Sequence, residues 1–298
     1  MHVSSSKSGL QQTLARPAEI SGRGLFHGIE AHVRMLPAPA DSGIVFRRTD
    51  LSGKPEIPAL TQFVVPGARR TILAAAGASV ETTEHLLSAL AGLQVDNCIV
   101  EVTAAEIPAV DGSCLPFCTA ILESGLQSQS APRRVFRVTR CQRVSDPAAE
   151  QWLEAIPGGG EDFVVSYQLD YGDQSPIGQQ SLALCITPEV FLNEIAAART
   201  FVMSSEVEAL KAQGFGQHLT GQDLVVFAAD GSIVDNELRW ADEPVRHKIL
   251  DCIGDLALAG APVAGRIVAR RSGHKLNHVM AQILSTTDIS SLVHSRAA

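Results

Sequence analysis

The sequence predicts an α+β fold of two similar domains, each a β-sheet with helices packed on it. Three observations lead there. The chain has 298 residues, too many for one small domain and comfortable for two. Each half runs strands first, then helices, then a strand, an order that suits two α+β units of similar build. The helical segments EHLLSALAG and HKILDCIGDLALAG each start near a histidine, end in glycine and lead into a strand. The chain is 45% hydrophobic and 19% charged, so it can bury a sizeable core; with only 5% aromatics, that core must rest on Ala, Leu, Val and Ile.

In the first half, HVRMLPA near residue 32 and GIVFRRTD from 43 read as strands, with turns at PAPADSG and LSGKPE. TTEHLLSALAGL, residues 82–93, has a capping threonine, helical periodicity and a closing Gly92. NCIVEV, residues 97–102, is a short strand, and PFCTAILESGL, residues 116–126, opens on proline and reads as a helix ending at Gly125. SQSAPRR, residues 128–134, is the candidate linker, which divides the chain into 1–129 and 130–298. In the second half, VFRVTRCQRV, EQWLEAIP and FVVSYQLDY read as strands, the first two split by DPAA. PEVFLNEIAAARTF, residues 188–201, and SEVEALKAQG, residues 205–214, read as helices, and DLVVFAADGSIVD as a strand with a DG turn. The segment 243–260 is a strong helix stopped by Gly260, and GRIVARRSG is the strand that follows. The halves share too little identity to define a repeat.

A net charge of −8 argues against general nucleic-acid binding, which needs basic surface, but leaves room for a local basic pocket around one phosphorylated ligand. The start, MHVSSSKSGLQQTLARPAE, has no apolar core of a secretory signal, and no run is long enough to span a bilayer. The expectation is a cytoplasmic protein without a transmembrane segment, acting as a monomer, with no second enzyme domain after SLVHSRAA. The six cysteines are scattered through apolar sequence, which suits buried free thiols in a reducing compartment. Cys114 and Cys118 lie four apart with no second pair to complete a structural zinc site.

The segment VRHKILDCIGDLALAG, residues 245–260, places His247, Asp251 and Asp255 one helical turn apart, about 40° round and about 6 Å along. An isolated His-x-x-x-Asp pair is commonly an ion pair. Here the apolar neighbours imply a buried helix, where a carboxylate needs a cation or donors, so His247 and Asp251 are candidates to chelate a divalent ion. A catalytic zinc site has three protein ligands and an open position. His85 is the candidate third ligand, and Glu84, about 100° away on the same helix, can reach a water beside the ion. Taken alone, Glu84 could equally favour the positive end of a helix dipole. His274, after a glycine and a strand, could donate a proton to a leaving amine, with Asp255 orienting it; His278, one turn on, is a rival for that role.

Together these residues resemble a known family. The motifs SGRGLFHG, LPAPADSGIVFRRTDL (36–51), TTEHLLSALAGLQVDN, AEIPAVDGSCLPF (105–117), AARTF (197–201), VRHKILDCIGDLALAG and SGHKLN (272–277) are similar, in order and spacing, to those of the UDP-3-O-acyl-N-acetylglucosamine deacetylases, zinc amidases of lipid A biosynthesis. The resemblance implies helices sandwiched between two outer sheets, with the active site between domains. It implies metal ligands at His85, His247 and Asp251, a general base at Glu84 and a general acid at His274 supported by Asp255. It puts a carbonyl-polarising hydroxyl at Thr200 and substrate contacts at Lys248 and Phe201. Leu210, Phe215 and Leu219 become candidates for lining an acyl-chain passage within residues 202–222. The implied cofactor is Zn2+, with Fe2+ also suited to such ligands, and the implied partner is a small UDP-acyl-sugar, whose anionic end could meet Arg246, Arg199 or Arg266. Two segments depart from the family pattern: Phe26 stands where GLFHG would carry a histidine, followed by His27, and GQHLTGQD (216–223) replaces a Gly-Gly-Ser run. Two alternatives stay open, a zinc amidase for another N-acetylated sugar and a binding protein that keeps a structural metal.

Overall fold

The computed structural model describes residues 9–286, so the serine-rich start and SLVHSRAA lie outside the described residues. It is a mixed α/β molecule built around two sheets of identical strand order. The first runs Ala18–Arg23, Glu30–Pro37, Cys98–Val102, Ile44–Arg48, Glu56–Pro58. The second runs Gln142–Asp146, Gln151–Ile156, Val263–Arg270, Phe163–Asp170, Gln179–Cys185, with Phe136–Arg137 added beside Val263–Arg270. In each, two hairpins flank a central strand that comes last in the chain. That strand is antiparallel to one neighbour and parallel to the other. Alternation drives the packing: along Glu30–Pro37, Ala31, Val33 and Met35 are buried while Glu30, Arg34 and Pro37 are exposed.

The helices repeat the same scheme. Helix α1 (Glu84–Gly92) precedes the first central strand and α2 (Leu115–Ser124) follows it. After a short α3 (Pro188–Val190) and α4 (Ser204–Ala212), α5 (Glu243–Ala257) precedes the second central strand and α6 (His274–Thr286) follows it. Each half also carries an insertion between its second hairpin and its first long helix. The first is a small sheet of Val64–Val65, Ile72–Ala75 and Ala78–Glu81; the second, residues 188–227, includes the parallel pair Phe201–Met203 and Val225–Phe227. Helix α5 packs on α1, on α6 and on the second sheet. Gly254 makes the α1–α5 approach possible, because a Cβ there would lie 2.0 Å from the backbone oxygen of Glu84.

Several local expectations change. SQSAPRR begins inside a strand, Leu126–Pro132, paired antiparallel with Leu10–Leu14; its polar residues are those of an edge strand, and the 129/130 division falls within it. The helix expected over 188–201 becomes one short turn, then a π-helical turn at Phe191–Ile195, and Phe201 opens a strand. Gly92 is the last residue of α1, as expected, but without a positive φ; its missing side chain also makes room for the Phe191 ring, which would lie 2.3 Å from a Cβ. Thr83 precedes α1 without a side-chain cap, its hydroxyl instead donating to the Thr71 carbonyl at 3.4 Å. Cys98, Cys114, Cys118 and Cys252 are buried free thiols, but Cys141 and Cys185 are exposed. Among the described residues no helix is long and apolar enough to cross a membrane.

Overpacking the α1–α5 contact should be felt by both stability and site. Gly254→Ala is expected to lower the unfolding free energy by about 2 kcal/mol or more, read as a reduced urea midpoint; an unchanged midpoint would contradict this packing.

Candidate functional site

Helices α1 and α5 bring three donors together. Nitrogens of His85 and His247 and a carboxylate oxygen of Asp251 all lie within 4.8 Å of one another, and all three residues are buried. Asp251 Oδ1 stands 3.4 Å from His247 Nε2 and 3.7 Å from His85 Nε2, and the two rings meet edge to face at 5.1 Å. The Ala198 carbonyl lies 3.1 Å from His247 Nδ1 and takes the proton there, leaving the Nε2 lone pair aimed at the cluster. Burial, the largest influence, pushes the His247 pKa down to about 4 despite the pull of Asp251. The imidazole is therefore neutral at physiological pH, as a ligand must be. Burial works against ionisation of Asp251, yet its neighbours hold the carboxyl well below the usual range. His247, Lys248, His85 and His274 all favour the ionised form, and Lys248 Nζ donates to Oδ2 at 2.7 Å. Two imidazole nitrogens and one carboxylate oxygen are a donor set suited to Zn2+ or Fe2+.

Beside this cluster stand a carboxyl, Glu84, and an imidazole, His274. Glu84 is buried in the first turn of α1, its Oε2 accepting the Thr71 backbone N–H at 3.0 Å. Desolvation, its largest influence, raises its pKa even though His274 and His85 oppose the shift. His274 opens α6, with Nε2 4.0 Å from Glu84 Oε1 and Nδ1 donating to Asp255 Oδ2 at 2.8 Å. Burial alone would lower the His274 pKa, but the charge and hydrogen bond of Asp255, with help from Asp251 and Glu84, raise it to about 9. Asp255 is fully buried, but its carboxylate also accepts from the Thr71 hydroxyl at 2.6 Å, Asn277 Nδ2 at 2.9 Å and His278 Nε2 at 3.2 Å. Burial disfavours its charge, yet these partners hold it ionised, far below the ordinary range. His278 thus reaches Asp255 from the far side, while His274 faces Glu84.

Of these groups, Glu84, His85, His247, Asp251 and His274 line one end of a cavity of about 460 Å3. Thr200, Phe201 and Lys248 line it too, and Phe201 packs edge-on against His247 at 6.0 Å. Arg199 sets the Thr200–Phe201 turn from below: its backbone N–H and its guanidinium both bind Glu243 in a buried pair. The other end of the cavity is apolar, with Leu210, Phe215, Leu219 and Leu224 in its wall. The basic side chains the sequence suggested for an anionic ligand lie elsewhere. Arg199 is locked to Glu243, Arg246 pairs with Asp242 and Glu194, and Arg266 is exposed on a sheet strand. The cavity instead has Arg69 and Lys275, together with Lys248. Thr71, Asn277 and Arg69 went unnoticed in the sequence. Thr71 follows a pair of arginines in a strand-forming stretch, and only the fold turns it toward Asp255.

A family model described as LpxC, UDP-3-O-acyl N-acetylglycosamine deacetylase, matches residues 11–286. The chain belongs to that family. It is 37% identical to the UDP-3-O-acyl-N-acetylglucosamine deacetylase of Solibacter usitatus over 284 residues, covering 95% of this chain and 94% of the relative. A protein of the same name from Anaeromyxobacter is 39% identical over 270 residues, covering 91% and 86%. The bifunctional enzyme LpxC/FabZ of Chlorobaculum tepidum is 35% identical over 296 residues, which cover 90% of this chain but 62% of that longer protein. Membership places this chain in a family of deacetylating hydrolases.

The Asp255–His274 pair generates a titration test. In the metal-free protein the His274 ring should titrate near 9 by NMR. Asp255→Asn should bring it down to about 6.5, the ordinary imidazole value, or lower. Since the folded pKa lies above the unfolded one, this pair's stabilisation is complete below about pH 6.5 and is lost as pH rises through about 9. An unshifted His274 in Asp255→Asn would contradict the assignment.

Proposed function

We propose that this protein removes the N-acetyl group from UDP-3-O-(3-hydroxyacyl)-N-acetylglucosamine, releasing acetate in an early step of lipid A biosynthesis. The observation that carries the reading is the placement of Glu84 and His274 4.0 Å apart beside the His85, His247, Asp251 cluster. The family and its relatives' names support the substrate. His85, His247 and Asp251 would hold a zinc ion, or Fe2+. Such an ion supplies Lewis acidity toward a carbonyl and makes a nearby water easier to deprotonate.

The protein's own groups then have separable tasks. Glu84 takes a proton from a water, and the water oxygen adds to the acetyl carbonyl carbon. The Thr200 hydroxyl donates to the carbonyl oxygen as negative charge gathers there. His274, held protonated by Asp255, gives its proton to the glucosamine nitrogen as the C–N bond breaks. Acetate and a free amine on the UDP-sugar result. A carboxylate raised toward neutrality and a cationic imidazole suit a base and an acid working at the same pH. Lys248 and Phe201 contact the sugar-nucleotide and glucosamine parts. The acyl chain takes the apolar end of the cavity, against Leu210, Phe215 and Leu219. Residues 1–129 would supply His85 and Glu84, and residues 130–298 the other ligands, the acid and the acyl passage. The free cysteines accord with work in the reducing cytoplasm.

The test is acetate release from this substrate by purified protein, before and after chelation and again with stoichiometric zinc. Activity should vanish with the chelator and return with zinc. No acetate from this substrate, with release from another N-acetylated sugar, would move the reading to that sugar; no release from any would end it. Glu84→Gln should lower kcat by about 10^2-fold to 10^4-fold. The wild-type rate should rise as Glu84 ionises and fall as pH passes about 9, where His274 loses its proton. A profile without the alkaline fall would remove His274 from the role of acid.

A further inference from the structure

The two insertions meet over the cavity. One is the loop and small sheet around Arg69 and Arg70, the other the segment 204–219. Helix α4 within that segment buries no side chain fully, and nine residues of helix are marginal in water without support. Beyond its packing on the strand Phe201–Met203, the segment is held by a joint around Arg70. The Arg70 guanidinium lies 4.1 Å over the Phe26 ring and 5.5 Å from the Phe215 ring, and the two rings meet edge to face at 5.7 Å. Arg70 is 9% exposed, and its Nε donates to Glu81 Oε2 at 2.9 Å, which fixes the plane of the fork. The Gly216 N–H donates to the Phe26 carbonyl at 2.9 Å, and Arg69 pairs with Glu206 on the outer side. His218 packs where Gly28 has no side chain, 2.5 Å from where a Cβ would stand.

The joint therefore unites the two stretches that depart from the family pattern, Phe26–Gly28 and 216–223. A histidine at 26 would offer Arg70 a poorer face, and a Phe at 26 without Arg70 and Phe215 would expose its ring. Phe215, Leu210 and Leu219 sit on the fastened segment and form the apolar wall of the cavity. Arg70 itself is not part of that wall.

We propose that Arg70 is a specificity-determining residue of this protein. By stacking on Phe26 and Phe215 it holds the 204–219 segment over the apolar end of the cavity, and so governs binding of an acyl chain it does not touch. The proposal rests on the deacetylase reading for its substrate but not for its geometry. Arg70→Met keeps the aliphatic stem and removes the cation; Arg70→Lys keeps the charge and removes the planar face. The experiment measures kcat and KM of the zinc-loaded enzyme on the acylated UDP-sugar and on UDP-N-acetylglucosamine without the acyl chain. Alongside, limited proteolysis with mass spectrometry follows cleavage within 204–219.

Arg70→Met should raise KM for the acylated substrate about tenfold with kcat within about twofold, leave the unacylated substrate within about twofold, and speed cleavage of the segment. Arg70→Lys should lie between it and the parent. Equal losses on both substrates, or an unchanged KM together with an unchanged cleavage rate, would overturn the proposal. If the parent turns over neither substrate, the deacetylase reading fails. The proteolysis then still decides whether Arg70 fastens the segment.

Discussion

The near-contact of two helix backbones is the constraint from which the site follows. Helix α5 has a glycine where α1 crosses it, and the carbonyl of Glu84 occupies the space a Cβ would fill. That crossing sets Glu84 and His85, at the start of α1, beside His247 and Asp251 on α5 and Asp255 one turn further on. No single segment contains the site. Two copies of one topological scheme, each contributing its pre-strand helix, make it by packing against one another.

Within that frame the electrostatics sort the groups into roles. Burial is common to all of them and penalises every charge. What differs is the partner. Asp255 has four donors around one carboxylate, so it remains charged with no exposure at all, and it passes that charge to His274 as a raised proton affinity. Asp251 remains ionised beside the Lys248 ammonium. Glu84 has a single backbone N–H and is the carboxylate that burial lifts. His247 has Asp251 on one side and a carbonyl on the other, and burial outweighs both to leave the imidazole neutral. A cationic imidazole, a carboxyl of raised proton affinity and an uncharged imidazole thus arise within a few ångströms from the same two residue types.

Much of this was legible in the sequence because it lies in periodic, local patterns. A helix of period 3.6 places His247, Asp251 and Asp255 in line whatever the rest of the fold does. Glu84 and His85 head another apolar helix, and the glycine before His274 announces the start of a third. The parts that were not legible depend on distant packing. The strand Leu126–Pro132 reads as a linker because an edge strand needs no apolar face. Gly92 does end α1, but nothing local shows that the Phe191 ring needs its space. The helix expected through Phe201 is cut short by Glu243, some forty residues on, which captures the backbone and side chain of Arg199. The basic residues of the cavity, Arg69 and Lys275, come from a loop and a helix start that carry no periodic signal. Family resemblance proposed the site residues, but it could not show that its two departures touch each other.

The central claim is that the α1–α5 crossing assembles a metal site from His85, His247 and Asp251. Calorimetric titration of the metal-free protein with zinc tests it most directly, with His85→Ala beside it. The account predicts saturable binding of one ion per chain, with proton release as pH falls toward the ligands' pKa values, and loss of that binding in His85→Ala, since two donors on one helix do not suffice. Absence of saturable binding, or binding that His85→Ala leaves unchanged, would contradict it.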